Sequence, residues 1–121
     1  MAHHHHHHMP HALITLSADI TEEIKKEIAH ESMKILSEVI GKPISYCATQ
    51  VVTSVGGFGG KIVKSAFIDI KSISGLKGKQ EGLSDRYCKL LEQKAGIEGG
   101  NIYLNFTEMT GNNWGYDHST F

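Results

Sequence analysis

The chain has 121 residues, with 12 Lys or Arg, 13 Asp or Glu, nine His and two Cys, and a formal net charge of -1. Met1 to His8 read as a hexahistidine purification leader, which leaves a near-neutral single domain at 9–121 whose own histidines are His11, His30 and His118. Interspersed charges of both signs argue against a nucleic-acid partner, no apolar run reaches the roughly 20 residues that span a bilayer, and no signal-like segment follows Met9, so a soluble, cytoplasmic protein with no membrane partner is expected.

Ala12 to Leu16 is a short apolar, β-rich run, and Thr21 followed by Glu22 and Glu23 supplies a helix start: a capping hydroxyl with acids in the first turn. Along this helix Ile24, Ile28, Ile35, Leu36, Val39 and Ile40 recur at three- and four-residue steps, Glu23, Lys26, Glu27, Glu31 and Lys34 form the exposed face, and Gly41 with Pro43 ends it. Ile44 to Thr53, rich in β-branched and aromatic residues, predicts a strand, and Gly56-Gly57-Phe58-Gly59-Gly60 a flexible turn. Ser65 to Ile73 alternates as a strand should. Gly75 to Gly82 predicts a loop grading into a helix whose buried stripe is Leu83, Tyr87, Leu90, Leu91 and Ala95, closed by Gly96. Ile102 to Met109 predicts the fourth strand, and the polar tail from Thr110 to Phe121 closes on Trp114, Tyr116 and Phe121.

Strand, helix, strand thus occurs twice, with the helix-ending glycines about 55 residues apart, which predicts an internal duplication with pseudo-repeats at about 10–54 and 62–109 and a tail at 110–121. Right-handed crossovers join two βαβ units into one four-stranded mixed sheet with both helices on one face, an α/β (α+β) architecture. The strands carry apolar residues on both alternations (Val51 and Val52; Ala66, Phe67 and Ile68), so another chain is expected to cover the opposite sheet face and protect its edges.

The glycine-rich stretch fits neither phosphate-loop spacing and leads to a strand, so nucleotide binding is not expected. The sequon Asn105-Phe106-Thr107 sits mid-strand in a chain with no secretory signal. Cys47 and Cys88 lack CxxC or zinc-like spacing and read as reduced, packed thiols. Pro10 is different in kind: with Met9 removed, its nitrogen becomes a free secondary amine of pKa roughly 8, which an apolar pocket or a nearby cation lowers toward neutrality and makes a general base.

Met9-Pro10, Gly41-Lys42-Pro43-Ile44-Ser45-Tyr46, Phe58-Gly59-Gly60, Ser72-Ile73-Ser74-Gly75, Asn101-Ile102-Tyr103-Leu104-Asn105-Phe106 and the ending Asn113-Trp114-Gly115-Tyr116 with Ser119-Thr120-Phe121 together resemble the macrophage migration inhibitory factor family and its D-dopachrome tautomerase relatives. The likeness spans essentially all of Met9 to Phe121. It implies a tautomerase subunit assembled as a homotrimer with active sites between subunits, and Pro10 as the base after loss of Met9. It further implies Lys42 and the backbone N–H of Ile73 on a substrate carboxylate, Tyr103 and Asn105 from the adjacent subunit, and Tyr46, Trp114 and Phe121 as pocket walls.

The activity so implied is a keto-enol tautomerisation of phenylpyruvate-like 2-keto acids, with dopachrome a second substrate, and it needs no metal or redox cofactor because one base moves the proton. The resemblance also implies an alternative: a cytokine-like protein exported without a leader that binds a receptor or host protein, its site vestigial. Three departures stand out: His11 replaces an apolar residue, Trp114 replaces a smaller aliphatic one, and Val63-Lys64-Ser65-Ala66 lacks the CxxC of some members, so thiol-oxidoreductase activity is not expected.

Overall fold

Burial alternates along the two central strands, and this alternation sets the architecture of the computed structural model, which describes residues 8–121. In β1 (His8–Ser17), Ala12, Ile14 and Leu16 turn inward with no exposed surface, while His11, Leu13 and Thr15 face the other way. α1 (Glu22–Ile40) starts where the Thr21 hydroxyl accepts the Ile24 N–H at 3.2 Å and ends at Gly41, whose φ of 82° is left-handed. β2 (Ala48–Thr53), the short strands β3 (Gly57–Phe58) and β4 (Lys61–Ile62), and β5 (Ser65–Ile73) follow. Then come α2 (Gln80–Ala95), β6 (Ile102–Glu108), and a short terminal pair, β7 (Gly115–Tyr116) and β8 (Ser119–Thr120).

The main sheet has the order β2-β1-β5-β6. β1 runs parallel to β2 and antiparallel to β5, and β5 runs parallel to β6, so the sheet is mixed and β1 and β5 are flanked on both sides. Both helices pack on one face, where Ile28, Ile35 and Leu36 of α1 meet Leu83, Tyr87 and Leu91 of α2 over Ile14, Ile68 and Ile70. These side chains supply most of the stability, since each fully buried aliphatic side chain is worth about 1.5–3 kcal/mol.

Two elements differ from the sequence expectation. The strand predicted from Ile44 begins only at Ala48, because Ile44–Tyr46 forms a single 3-10 turn after Pro43: the Tyr46 N–H donates to the Pro43 carbonyl at 2.9 Å and the Cys47 N–H to that of Ile44 at 3.0 Å. β-propensity reports fit to a pleated surface, and the turn seeded by Pro43 overrides it here. The glycine stretch forms a paired hairpin where a flexible turn was expected, with Gly59 and Gly60 at φ of 63° and 82° in the left-handed conformations that a two-residue turn requires.

The sheet face away from the helices is mixed in character. At one end it carries Val52, Phe67 and Tyr103, all substantially exposed. Toward the other end it carries His11 hydrogen-bonded to Gln50, and Lys71 ion-paired with Asp69. The apolar character expected of this face is therefore confined to part of it. No described helix is long and apolar enough to cross a membrane.

A buried polar chain ties the layers together. The Tyr87 hydroxyl donates to the Ser32 carbonyl at 2.9 Å and lies 2.9 Å from the Ser32 hydroxyl, which in turn lies 2.9 Å from that of Thr49. Thr49 donates to the Ala12 carbonyl at 2.7 Å, so α2, α1, β2 and β1 are linked in series. Burial drives the Tyr87 phenol upward from its ordinary pKa, keeping it neutral and a donor. Tyr87→Phe is expected to lower unfolding stability by about 1 kcal/mol, read as a lower urea midpoint with unchanged slope. An unchanged midpoint would assign the chain no net stabilising role.

Candidate functional site

Proline has no N–H to give to a ladder, so a strand hydrogen-bonded on both sides accepts it only at its start or at an irregularity. Pro10 stands at such a place. The β1–β5 register slips beside it, with His8 opposite Ile73 but His11 opposite Lys71, and the β1–β2 ladder begins only at His11. Met9 takes a φ of 31°, a positive value uncommon for a residue other than glycine, and the Pro10 side chain is fully buried.

Three other sequence-predicted residues lie at this end of the sheet. Ile73 ends β5 and is followed by Ser74 and Gly75, both left-handed at φ of 58° and 85°. Glu108 holds the exit of this turn by accepting the Leu76 N–H at 2.8 Å. Tyr46 lies in the 3-10 turn that leads into β2 beside His11, and its side is 38% exposed. Lys42, half-buried, lies between the left-handed Gly41 and Pro43; its N–H donates to the Ser37 carbonyl at 3.1 Å, and the Ser37 hydroxyl donates to its carbonyl.

The tail leaves from the same end, since β6 finishes with Glu108 opposite Ser72 and the Met109 N–H donates to the Ser72 carbonyl at 3.0 Å. Trp114 and Phe121, both half-buried, close the terminal hairpin through a Phe121 N–H to Trp114 carbonyl bond of 3.2 Å, and the Phe121 ring stacks on Tyr116 at 5.1 Å. At the hairpin tip Asp117 and His118 take φ of 46° and 73°.

Tyr103 and Asn105 are not brought to Pro10 within one chain. Tyr103 pairs with Phe67, which pairs with Thr15, so it is offset from Pro10 by five strand residues, about 17 Å, and by the width of β5. Asn105 pairs with Asp69 at the level of Leu13. Tyr103 instead packs on Phe58 at 4.9 Å and helps line an open cavity of about 400 Å³ with Thr15, Ser54, Phe58, Ser65 and Phe67, at the far end of the sheet. Sequence reasoning passed over Ser37 and Glu108, whose contacts to Lys42 and Leu76 arise only once the chain turns.

The sequence profile of the macrophage migration inhibitory factor (MIF) family matches residues 9–121. The chain belongs to the MIF family. A macrophage migration inhibitory factor homolog of Trichuris trichiura is 32% identical over 115 residues, covering 90% of this chain and 98% of the relative. The crystal structure of a macrophage migration inhibitory factor homologue from Prochlorococcus marinus aligns with a TM-score of 0.87 at 27% identity, covering 92% of this chain and 98% of that one. A fused 4-OT chain, solved as a symmetric trimer, has the same fold at a TM-score of 0.79 and 11% identity, covering 90% and 93% of the two chains. The four-stranded mixed sheet with two helices is thus the MIF and tautomerase fold.

In this MIF-family chain both cysteines are free, Cys47 buried and Cys88 half-buried. Burial raises both thiol pKa values, and at Cys88 the nearby Glu92 and Asp85 add to the rise. Both are expected to alkylate more slowly than a free cysteine at pH 8, with Cys47 the slower by its greater burial. Mass spectrometry after timed iodoacetamide treatment checks the order, and rapid labelling of Cys47 in the folded chain would contradict it.

Proposed function

We propose that this MIF-family chain is a cofactor-independent keto-enol tautomerase of phenylpyruvate-like 2-keto acids, with the nitrogen of Pro10 as general base once Met9 and everything before it are removed. The observation that carries the reading is the setting of Pro10: fully buried, at a register slip where β1 needs no N–H, beside the end of β5 and the turn entering β2. Burial such as that of Pro10 disfavours the charged form of an amine freed there and brings its pKa from roughly 8 toward neutrality. A neutral secondary amine near pH 7 takes a proton from one atom of the substrate and returns it to another, with no change of oxidation state.

The remaining roles are those that the family resemblance implies, and the chemistry of the residues suits them. The Lys42 ammonium and the Ile73 N–H hold the substrate carboxylate, and Tyr46, Trp114 and Phe121 wall an aryl ring. Tyr103 and Asn105, too far from Pro10 in their own chain, reach the substrate of a neighbouring subunit in a homotrimer. The partly apolar open face with Val52, Phe67 and Tyr103 supports such an assembly. The leader opposes activity in two ways. It makes the Pro10 nitrogen an amide, and it extends β1 so that His8 stands opposite Ile73, the residue assigned to the carboxylate.

In leader-free protein beginning at Pro10, Pro10→Ala is expected to lower kcat/KM for phenylpyruvate by at least about 100-fold. Equal rates would refute the role of Pro10. Subunit sharing is tested by mixing two slow proteins, the Pro10→Ala variant and a Tyr103→Phe/Asn105→Ala variant, under conditions that exchange subunits. Activity above that of either parent is expected, since some mixed sites combine an intact Pro10 with intact Tyr103 and Asn105. No gain, with exchange verified by mass, would place all these residues in one chain's site or outside it.

A further inference from the structure

We propose that Ser37 is a positioning residue that aims Lys42 at the substrate carboxylate; the inference rests on the tautomerase reading above. Ser37 lies in the last turn of α1, where its carbonyl accepts the N–H groups of both Gly41, at 2.9 Å, and Lys42, at 3.1 Å. Its hydroxyl reaches forward to donate to the Lys42 carbonyl. Both polar backbone groups of Lys42 therefore close on this one serine. A helical serine commonly turns its hydroxyl back to the preceding turn; Ser37 uses it to tie down the residue after the cap.

The sequence on either side removes the remaining freedom. Gly41 holds a left-handed φ of 82°, and Pro43, at φ -55°, keeps the residue before it out of the helical region. With φ and ψ of Lys42 fixed from both sides and its peptide groups clamped, the Cα–Cβ direction is set, and only the side-chain torsions remain to be ordered when a carboxylate binds. Loss of the Ser37 hydroxyl leaves the Lys42 carbonyl without this donor and lets the segment after Gly41 move. The cost falls on binding of the carboxylate, not on proton transfer at Pro10.

The test compares Ser37→Val with Ser37→Thr, side chains of one shape that differ by the hydroxyl, with Ser37→Ala as a third variant, in leader-free protein. Substrates are phenylpyruvate and its methyl ester, which lacks the carboxylate. Expected are a KM for phenylpyruvate raised about three- to tenfold in the Val and Ala variants, kcat within about twofold, a parental KM in the Thr variant, and no difference among the three on the ester. Lys42→Ala alone should raise the phenylpyruvate KM, and adding Ser37→Val to it should raise it no further, since the two act on one contact.

Equal KM values for the Val and Thr variants, with Lys42→Ala still raising KM, would overturn the role of Ser37 and leave the tautomerase reading intact. A fall in kcat on both substrates alike would make Ser37 merely structural and overturn it too. If Lys42→Ala leaves KM unchanged, the carboxylate assignment fails and the Ser37 role with it, while Pro10→Ala decides separately on the base.

Discussion

Pro10 brings a residue without an N–H into a strand that has neighbours on both sides, and much of the arrangement at that end of the sheet accommodates it. The β1–β5 register slips by one residue there, β2 joins the ladder only at His11, and the proline side chain is covered completely. A residue that would weaken the middle of a regular central strand is harmless at an irregularity in its ladder. What remains is a fully buried proline ring fixed at the irregularity between β1 and β5.

The layers above and below that point do different things. On the helix side, Ala12, Ile14 and Leu16 lock β1 against both helices, and the chain from Tyr87 through Ser32 and Thr49 to the Ala12 carbonyl fixes the strand two residues from Pro10. On the other side the sheet is partly exposed and mixed among the described residues, with Tyr103 and Asn105 set well away from Pro10 along β6. The proposed sharing of a site between subunits would require this face to be used for assembly.

The architecture was legible because its signals are local and periodic. Thr21 with its two following acids, Gly41 and Gly96 mark helix ends wherever they occur, and the alternation of Ser65 to Ile73 needs no partner to be seen. Pro10 stood out by position alone. The turn at Ile44–Tyr46 was hidden because its residue types favour strands while the constraint comes from Pro43 before it. Ser37 and Glu108 were hidden for a different reason: each reaches a backbone group brought close only by a left-handed turn, which residue type and spacing do not reveal. The separation of Tyr103 from Pro10 likewise depends on strand order, which periodicity does not encode.

Whether Pro10 acts as a base depends on the state of its nitrogen. The most direct measurement follows phenylpyruvate tautomerisation and intact mass together while the residues before Pro10 are removed from one preparation. If Pro10 is the base, activity is expected to be low while Met9 is attached and to rise in proportion to the fraction of chains that begin at Pro10. Full activity in chains whose mass shows the leader still in place would contradict it.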